Sequence, residues 1–170
     1  MNKNICCFFG HRTIHKTTEL QKKLYDTIEK LIVEYNVDIF LFGSKSEFDD
    51  LCHQITSNLK TIYPHIKRIY VRAQFPYISD EYNSYLLKMY EESYYPGKIL
   101  KAGKSAYIQR NYEMINNSKF CIVYYNKYYT PPKRNAKSSN ISDCQSKSGT
   151  KIAFDYAVKK QKTIINVFEN

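Results

Sequence analysis

The sequence predicts a three-layer α/β/α protein with an open, mainly parallel sheet of about five strands. Two features predict this class. Short continuous apolar runs, typical of strands buried on both faces, alternate with longer segments whose apolar residues repeat at helical spacing. Right-handed crossovers between parallel strands are the compact way to bury such an alternation. The expected architecture is therefore Rossmann-like.

The first part of the chain holds three predicted strands, at residues 5–9, 38–42 and 66–71. A helix follows Thr18, and Gln21 three residues later completes a capping-box pattern. The apolar positions of this helix are Leu20, Leu24, Ile28, Leu31 and Ile32. Ser44 or Ser46 could cap the second helix. Its apolar positions are Phe48, Leu51, Cys52, Ile55 and Leu59.

The second part of the chain continues the alternation. A helix is indicated by Tyr82, Tyr85, Leu86 and Met89, and it ends before the turn at residues 94–97. The remaining predicted elements are a helix at 106–116, a strand at 120–125, a helix at 150–160 and a strand at 163–168. Five strands result.

The whole chain, residues 1–170, is expected to form one domain. With 170 residues and 43% hydrophobic composition it can bury one sizeable core, and no change of composition divides it. Residues 126–147 interrupt the pattern with a polar loop rich in Lys and Ser. A loop of this length in a compact domain is usually a mobile lid or disordered, and its position after the fourth predicted strand favours a flexible lid.

Several classes of protein are excluded by composition. No run approaches the roughly 18 apolar residues that a membrane span requires, and the amino terminus lacks a secretory-signal pattern. We therefore expect a soluble, cytoplasmic protein that does not contact a membrane. The five cysteines show no CxxC spacing and are expected to be reduced core thiols, with the adjacent Cys6 and Cys7 on opposite faces of a strand.

Metal binding is not expected. His11 and His15 have i, i+4 spacing, but the segment between them is not clearly helical and no third ligand is evident. We expect no resident cofactor either. The chain is expected to form a homodimer or a larger homo-oligomer.

The net charge of +10 raises the question of nucleic-acid binding. Residues 1–60 carry equal numbers of basic and acidic side chains, so the excess lies beyond residue 60. One basic stretch with Asp143 as its single acidic residue contains Lys127, Lys133, Arg134, Lys137, Lys147 and Lys151. Such a stretch attracts phosphate on a nucleotide or on a polymer. Because a high pI by itself describes solubility and non-specific association, nucleic acid is the less favoured partner.

Three short polar loops stand at strand carboxyl ends or helix amino ends. They are Gly10-His11-Arg12, Gly43-Ser44-Lys45-Ser46 and Ser148-Gly149-Thr150. In a parallel α/β sheet these ends meet on one edge, where free backbone N–H groups and the helix dipole favour an anion such as phosphate. The sequence therefore predicts a nucleotide-binding module with these residues as its ligand-binding set.

A family resemblance supports this interpretation. The chain resembles the SLOG superfamily, the Rossmann-like group that includes the Smf/DprA DNA-processing proteins and the LOG phosphoribohydrolases. It is most similar to small bacterial and phage members that begin with a Gly-His-Arg loop. The resemblance covers nearly the whole chain and rests on residues 6–12, Gly43, residues 107–115, 148–153 and 164–166.

The resemblance implies roles for particular residues. In LOG enzymes an arginine precedes a methionine on the helix before the fourth main strand, and a Gly-Thr turn opens the next helix. Arg110 and Met114 resemble the first pair, and Gly149 and Thr150 resemble the turn. Arg110, with Asn111 beside it, is therefore expected to contact the anionic ligand.

One position departs from the LOG pattern. Ala153 stands where LOG enzymes carry a glutamate three residues after the threonine. Glycoside hydrolysis of this kind needs a carboxylate to stabilise the ribosyl cation or to activate water. Asp49 and Asp155 are the candidate substitutes, and catalysis by the LOG route is in question.

Structural alternatives stay open for these features. Gly10 and Gly43 could be ordinary tight turns between strand and helix. Arg110 could be a surface residue paired with Glu113 at helical spacing. The tyrosines of residues 77–95 could stack on bases, although tyrosines along a helix are more often packing residues.

The sequence thus favours a sensor or sequestering protein that binds a nucleotide or a nucleotide-derived small molecule at the carboxyl ends of the strands. Two other functions stay open. One is an N-glycosidase or phosphoribohydrolase acting on nucleoside monophosphates, against which Ala153 argues. The other is a DNA-binding protein of the Smf/DprA type, against which the balanced charge of residues 1–60 argues.

Overall fold

A computed structural model describes residues 4–130 and 148–169 of the chain. It contains an all-parallel sheet of six strands: β1 Asn4–Gly10, β2 Val37–Phe42, β3 Lys67–Val71, β4 Glu92–Tyr94, β5 Phe120–Tyr124 and β6 Thr163–Asn166. The helices are α1 Thr18–Tyr35, α2 Glu47–Ile62, α3 Asp80–Leu87, α4 Ala106–Asn117 and α5 Gly149–Lys159. The predicted Rossmann-like α/β fold is confirmed.

The strand order places the centre of the molecule at β1. The order is β4-β3-β2-β1-β5-β6, so the chain first builds outward from β1 in one direction and then returns to place β5 on its other side. The register pairs Gly10 of β1 with Tyr124 of β5, which brings the two strand ends together. Open α/β sheets bind ligands beyond the strand carboxyl ends at such a reversal of direction.

Helices cover both faces of the sheet, and each face has its own apolar core. Residues of α1 and α2 pack with Cys6 and Phe8 of β1 in one cluster. Residues of α4 and α5 pack with Cys7 and Phe9 in the other. The alternation of buried side chains along β1 therefore confirms that Cys6 and Cys7 point to opposite faces. Both thiols are free, as are Cys52 and Cys121.

The sheet has one strand more than predicted. Residues Glu92–Tyr94 form the edge strand β4 and pair with β3, with Ile69 opposite Glu92. This edge strand has three residues and no continuous apolar run, since its side chains are exposed or only partly buried. Apolar periodicity, the signal that found the buried strands, is absent here.

The cap of the first helix also differs from the prediction. Thr17, rather than Thr18, is the N-cap of α1, and its hydroxyl accepts a hydrogen bond from the Leu20 N–H at 3.1 Å. Gln21 reaches back to the Thr17 carbonyl with its side-chain amide. Two threonines in a row leave the cap ambiguous by one residue in the sequence. For α2, Ser46 is the cap and Ser44 is not.

The structure tests two further predictions, on membrane contact and on the lid, only in part. None of the helices within the described ranges has the length and apolar character to cross a membrane. The predicted lid at 126–147 lies outside the described residues except for 126–130, of which Asn126 and Tyr129 enter the site below.

Candidate functional site

The candidate site lies at the carboxyl edge of the sheet, and the end of β1 forms its base. Gly10 is required there by packing, because a Cβ would lie 2.3 Å from ring atoms of Phe48 on α2. The backbone after β1 is tied to the start of α2: the Glu47 N–H donates to the Arg12 carbonyl, and the Ile14 N–H donates to the Glu47 carboxylate. The first polar loop and the amino end of α2 therefore form one unit.

Gly43, at the end of β2, is also required by close packing. A Cβ at this position would lie 2.8 Å from both Arg110 Nη1 and Met114 Sδ of α4. Arg110 and Met114, the pair that resembles LOG enzymes, therefore pack directly on the glycine turn. The structural need for both glycines is close approach rather than a positive φ angle, since neither has one.

Arg110 is buried at this edge with 3% of its surface exposed. Nη1 donates to the carbonyls at the ends of two neighbouring strands, Gly43 and, at 3.1 Å, Val71. Nε donates to Asn111 Oδ1 at 2.8 Å. Nη2 has no hydrogen-bond partner within residues 4–130 and 148–169. Burial lowers the pKa of Arg110, and the nearby Asp49 opposes that shift. Arg110 is therefore not the surface partner of Glu113.

Asp49 approaches the same strand end from the opposite face of the sheet. It lies in the first turn of α2, is 3% exposed, and its Oδ2 accepts a hydrogen bond of 2.8 Å from the Ser46 hydroxyl. Oδ1 is buried and has no partner among the residues that the structure describes. Burial raises the pKa of Asp49 to about 6, although Ser46, Arg110 and Ser44 favour the ionised form. An incompletely paired carboxyl group therefore lies close enough to Arg110 for the two charges to interact.

His11 occupies the point where β1 and β5 end. The ring is 2% exposed and stacks on Tyr129 with a centroid separation of 3.8 Å. Its Nε2 accepts a hydrogen bond of 2.9 Å from the Asn126 N–H, which places the proton of the neutral ring on Nδ1. Nδ1 is buried without a partner in the described part of the chain. Burial lowers the pKa of His11, so the ring is neutral at physiological pH.

The third predicted loop opens α5. Ser148 is the N-cap, and its hydroxyl accepts a hydrogen bond of 3.1 Å from the Lys151 N–H. A Cβ at Gly149 would meet no described atom within 4 Å, so packing does not explain this glycine. Thr150 is buried, and Ala153 is fully buried in the core of the α4 and α5 face. The LOG glutamate position is thus a core position here.

The remaining predicted residues are less buried. Arg12 and Lys45 are exposed, and half-buried Ser44 lies beside Asp49, whose pKa it lowers as a hydrogen-bond donor. Asp155 lies on an exposed part of α5 and pairs with Lys151 at 2.9 Å. His15 is exposed too, and no group of three or more potential metal ligands occurs in the described ranges.

The structure brings together a subset of the predicted residues. Those that converge on the ends of β1 and β2 are Gly10, His11, Gly43, Ser46, Asp49, Arg110 and Asn111. Sequence reasoning missed the contacts of Asn126, Tyr129 and the Val71 carbonyl. A signal existed for each, because all three follow or end a predicted strand on the same edge.

No protein-family model and no curated protein matches this chain. The likeness to the SLOG superfamily therefore rests on the sequence motifs, and membership stays a prediction.

Proposed function

We propose that this protein binds a nucleotide or a related phosphate-bearing small molecule at the carboxyl edge of its sheet. One observation carries the proposal. Arg110 and Asp49 are two buried groups of opposite charge that lie close enough to influence each other's pKa. Oδ1 of Asp49 is buried without a partner in the described residues, and no described hydrogen bond uses Nη2 of Arg110. Leaving a buried carboxylate oxygen unpaired is unfavourable, so a ligand that donates to Oδ1 and accepts from Nη2 is the simplest reason for the arrangement.

The guanidinium supports the choice of phosphate. Its planar fork matches two phosphate oxygens, and its Nε and Nη1 atoms are fixed by Asn111 and two backbone carbonyls. A side chain held this way loses little freedom when an anion binds. The nearby strand reversal between β1 and β5 is where open parallel sheets place their ligands.

The carboxyl group of Asp49 favours a ligand that carries a hydrogen-bond donor in addition to its phosphate. Asp49 repels an inorganic anion that approaches Arg110, unless that anion brings a hydrogen-bond donor for Oδ1. A nucleoside phosphate offers both groups in one molecule. The protein is therefore proposed as a sensor or a sequestering protein for such a ligand.

Calorimetric titration with adenosine 5′-monophosphate tests the proposal. Arg110→Lys keeps the charge but cannot keep all the guanidinium bonds, and we expect binding to weaken by about 1.5 to 3 kcal/mol, or roughly 10- to 150-fold. Arg68→Lys is the matched control, since Arg68 pairs with Glu91 near the amino end of β3, away from the site. Equal binding by both variants and the parent protein would remove Arg110 from the site.

A second function is favoured by one property of Asp49. A buried carboxyl group with a pKa of about 6 can exchange a proton near neutral pH, as a general acid or base must. The protein is then an N-glycosidase acting on nucleoside monophosphates. Asp49 supplies the carboxylate that LOG enzymes carry at the position that Ala153 resembles. Release of free base separates this function from binding alone.

A further inference from the structure

The free oxygen of Asp49 has a consequence for ligand selection. The amino end of α2 is capped without it: the Ser46 hydroxyl accepts from the Asp49 N–H at 3.1 Å and donates to Oδ2 at 2.8 Å. Oδ1 takes no part in this cap and is buried without a partner among the described residues. The cap therefore accounts for one carboxylate oxygen and leaves the other unexplained.

The protein groups nearest to Asp49 do not supply the missing donor. Arg110 lies close enough to influence the carboxylate, but its bonded nitrogens point to Gly43, Val71 and Asn111. Ser44 is the other polar neighbour: as a hydrogen-bond donor it lowers the pKa of Asp49, but it is no partner of the buried Oδ1. The described residues leave this oxygen without a donor, and a bound ligand can supply one.

The chemistry around Asp49 restricts that donor. The positive charge of Arg110 disfavours a cationic donor at the same place. A neutral hydroxyl meets no such repulsion. Asp49 lies close enough to Arg110 for the two charges to interact, so the donor must be close to the phosphate that Arg110 binds. In a nucleoside 5′-phosphate the sugar is joined directly to the phosphate, whereas the base lies on its far side.

We propose that Asp49 selects ligands by their sugar: its Oδ1 accepts a hydrogen bond from a ribose hydroxyl, so the site prefers ribonucleoside phosphates to analogues that lack these hydroxyls. This inference rests on the proposed nucleotide site and names the part of the ligand that the site distinguishes.

Two probes isolate the sugar contact. Adenosine 5′-monophosphate and its 2′,3′-dideoxy analogue share base and phosphate and differ only in the ribose hydroxyls. We expect the parent protein to bind the ribonucleotide at least about tenfold more tightly, the ratio typical of a hydrogen bond to a charged acceptor. In Asp49→Asn the ratio should fall to less than about threefold, since a neutral amide accepts more weakly.

Two more variants test whether the preference for ribose depends on Asp49 itself. Asp50→Asn makes the same change at the exposed neighbouring residue of α2 and should keep the preference for ribose. Asp49→Ala should abolish the preference, and thermal melts of all the variants identify any that fail to fold. If Asp49→Asn does not fold, Asp49→Ala decides the result.

The outcomes separate this inference from the function on which it rests. If the parent protein binds both probes equally, or if the Asp49 variants keep the preference, sugar selection by Asp49 is wrong, while binding that depends on Arg110 still supports a nucleotide site. If neither probe binds, both proposals fail.

Discussion

Asp49 is a buried acidic residue whose pKa is far from its ordinary value. Its carboxyl group is buried, its pKa is raised to about 6, and Oδ1 has no partner in the described residues. Buried ionisable residues that lower stability are candidates for function, because the fold alone gives no reason to retain them. The same property makes Asp49 testable through the pH dependence of stability.

The direction of that dependence follows from the pKa shift. The folded-state pKa is about 6 and the ordinary value is 3.8, so on acidification the folded protein binds this proton first. The contribution of Asp49 to the free energy of unfolding therefore rises as the pH falls from above 6 to below 3.8. Above pH 6 the ionised group lowers stability by about 3 kcal/mol at most.

We predict that Asp49→Asn is more stable than the parent protein at pH 8, by about 1 to 3 kcal/mol. The gain should shrink through the window from pH 6 to 4, where the parent carboxyl group becomes neutral as well. Denaturant unfolding of both proteins at several pH values measures the difference. Burial lowers the pKa of His11 and His53, which acts in the opposite direction, but both proteins share these residues. A pH-independent difference would show that Asp49 is not buried as an ionised group.

At the scale of structural elements, the glycine turns differ in whether packing excludes a side chain. Gly10 leaves no room for a Cβ beside Phe48, whereas Gly149 at the start of α5 has open space among the described atoms. Close approach, rather than backbone conformation, therefore distinguishes the two, since neither has a positive φ angle.

We predict opposite results for alanine at these two glycines. Gly10→Ala should destabilise the protein by about 1 to 3 kcal/mol, because Phe48 or β1 must shift to admit the methyl group. Gly149→Ala should change stability by less than about 0.5 kcal/mol. Urea unfolding measures both. Comparable losses in the two variants would mean that α5 packs more tightly at its start than the structure shows.

The elements that the sequence predicted well are those with strong apolar periodicity. The runs at residues 5–9 and 120–125 became central strands because both of their faces are covered. Strand β4 was missed because Glu92–Tyr94 lies at an edge, and its pairing depends on a long-range contact with β3. Thr17 was missed because the choice between two adjacent threonines depends on backbone geometry.

The site was predictable as a location but not as a set of contacts. Polar residues after strands predicted the correct edge of the sheet, and Gly43 and Arg110 meet there. Nothing in the sequence showed that Arg110 is buried against two carbonyls, or that Asp49 and not Asp155 lies beside it. Such pairings join α2, β2 and α4, whose relative placement only the folded chain defines.

At the scale of the whole molecule, an activity assay distinguishes a binding function from a catalytic one. Ala153 is fully buried in the core, so the position of the LOG glutamate carries no carboxylate. We predict that the protein releases little or no free base from nucleoside monophosphates, measured by chromatography after prolonged incubation. Base release by the parent protein that disappears in Asp49→Asn would instead support the N-glycosidase function. Membership of the SLOG superfamily and a homo-oligomeric state stay predictions.

We propose that a nucleotide binds at the end of β2 between Arg110 and Asp49. A crystal structure with bound adenosine 5′-monophosphate is the decisive experiment. In this binding mode a phosphate oxygen lies within about 3 Å of Arg110 Nη2 and a ribose hydroxyl within about 3 Å of Asp49 Oδ1. A nucleotide bound elsewhere, for example in the groove on α1 that Lys22, Lys23 and Lys30 line, with the end of β2 empty, would contradict it.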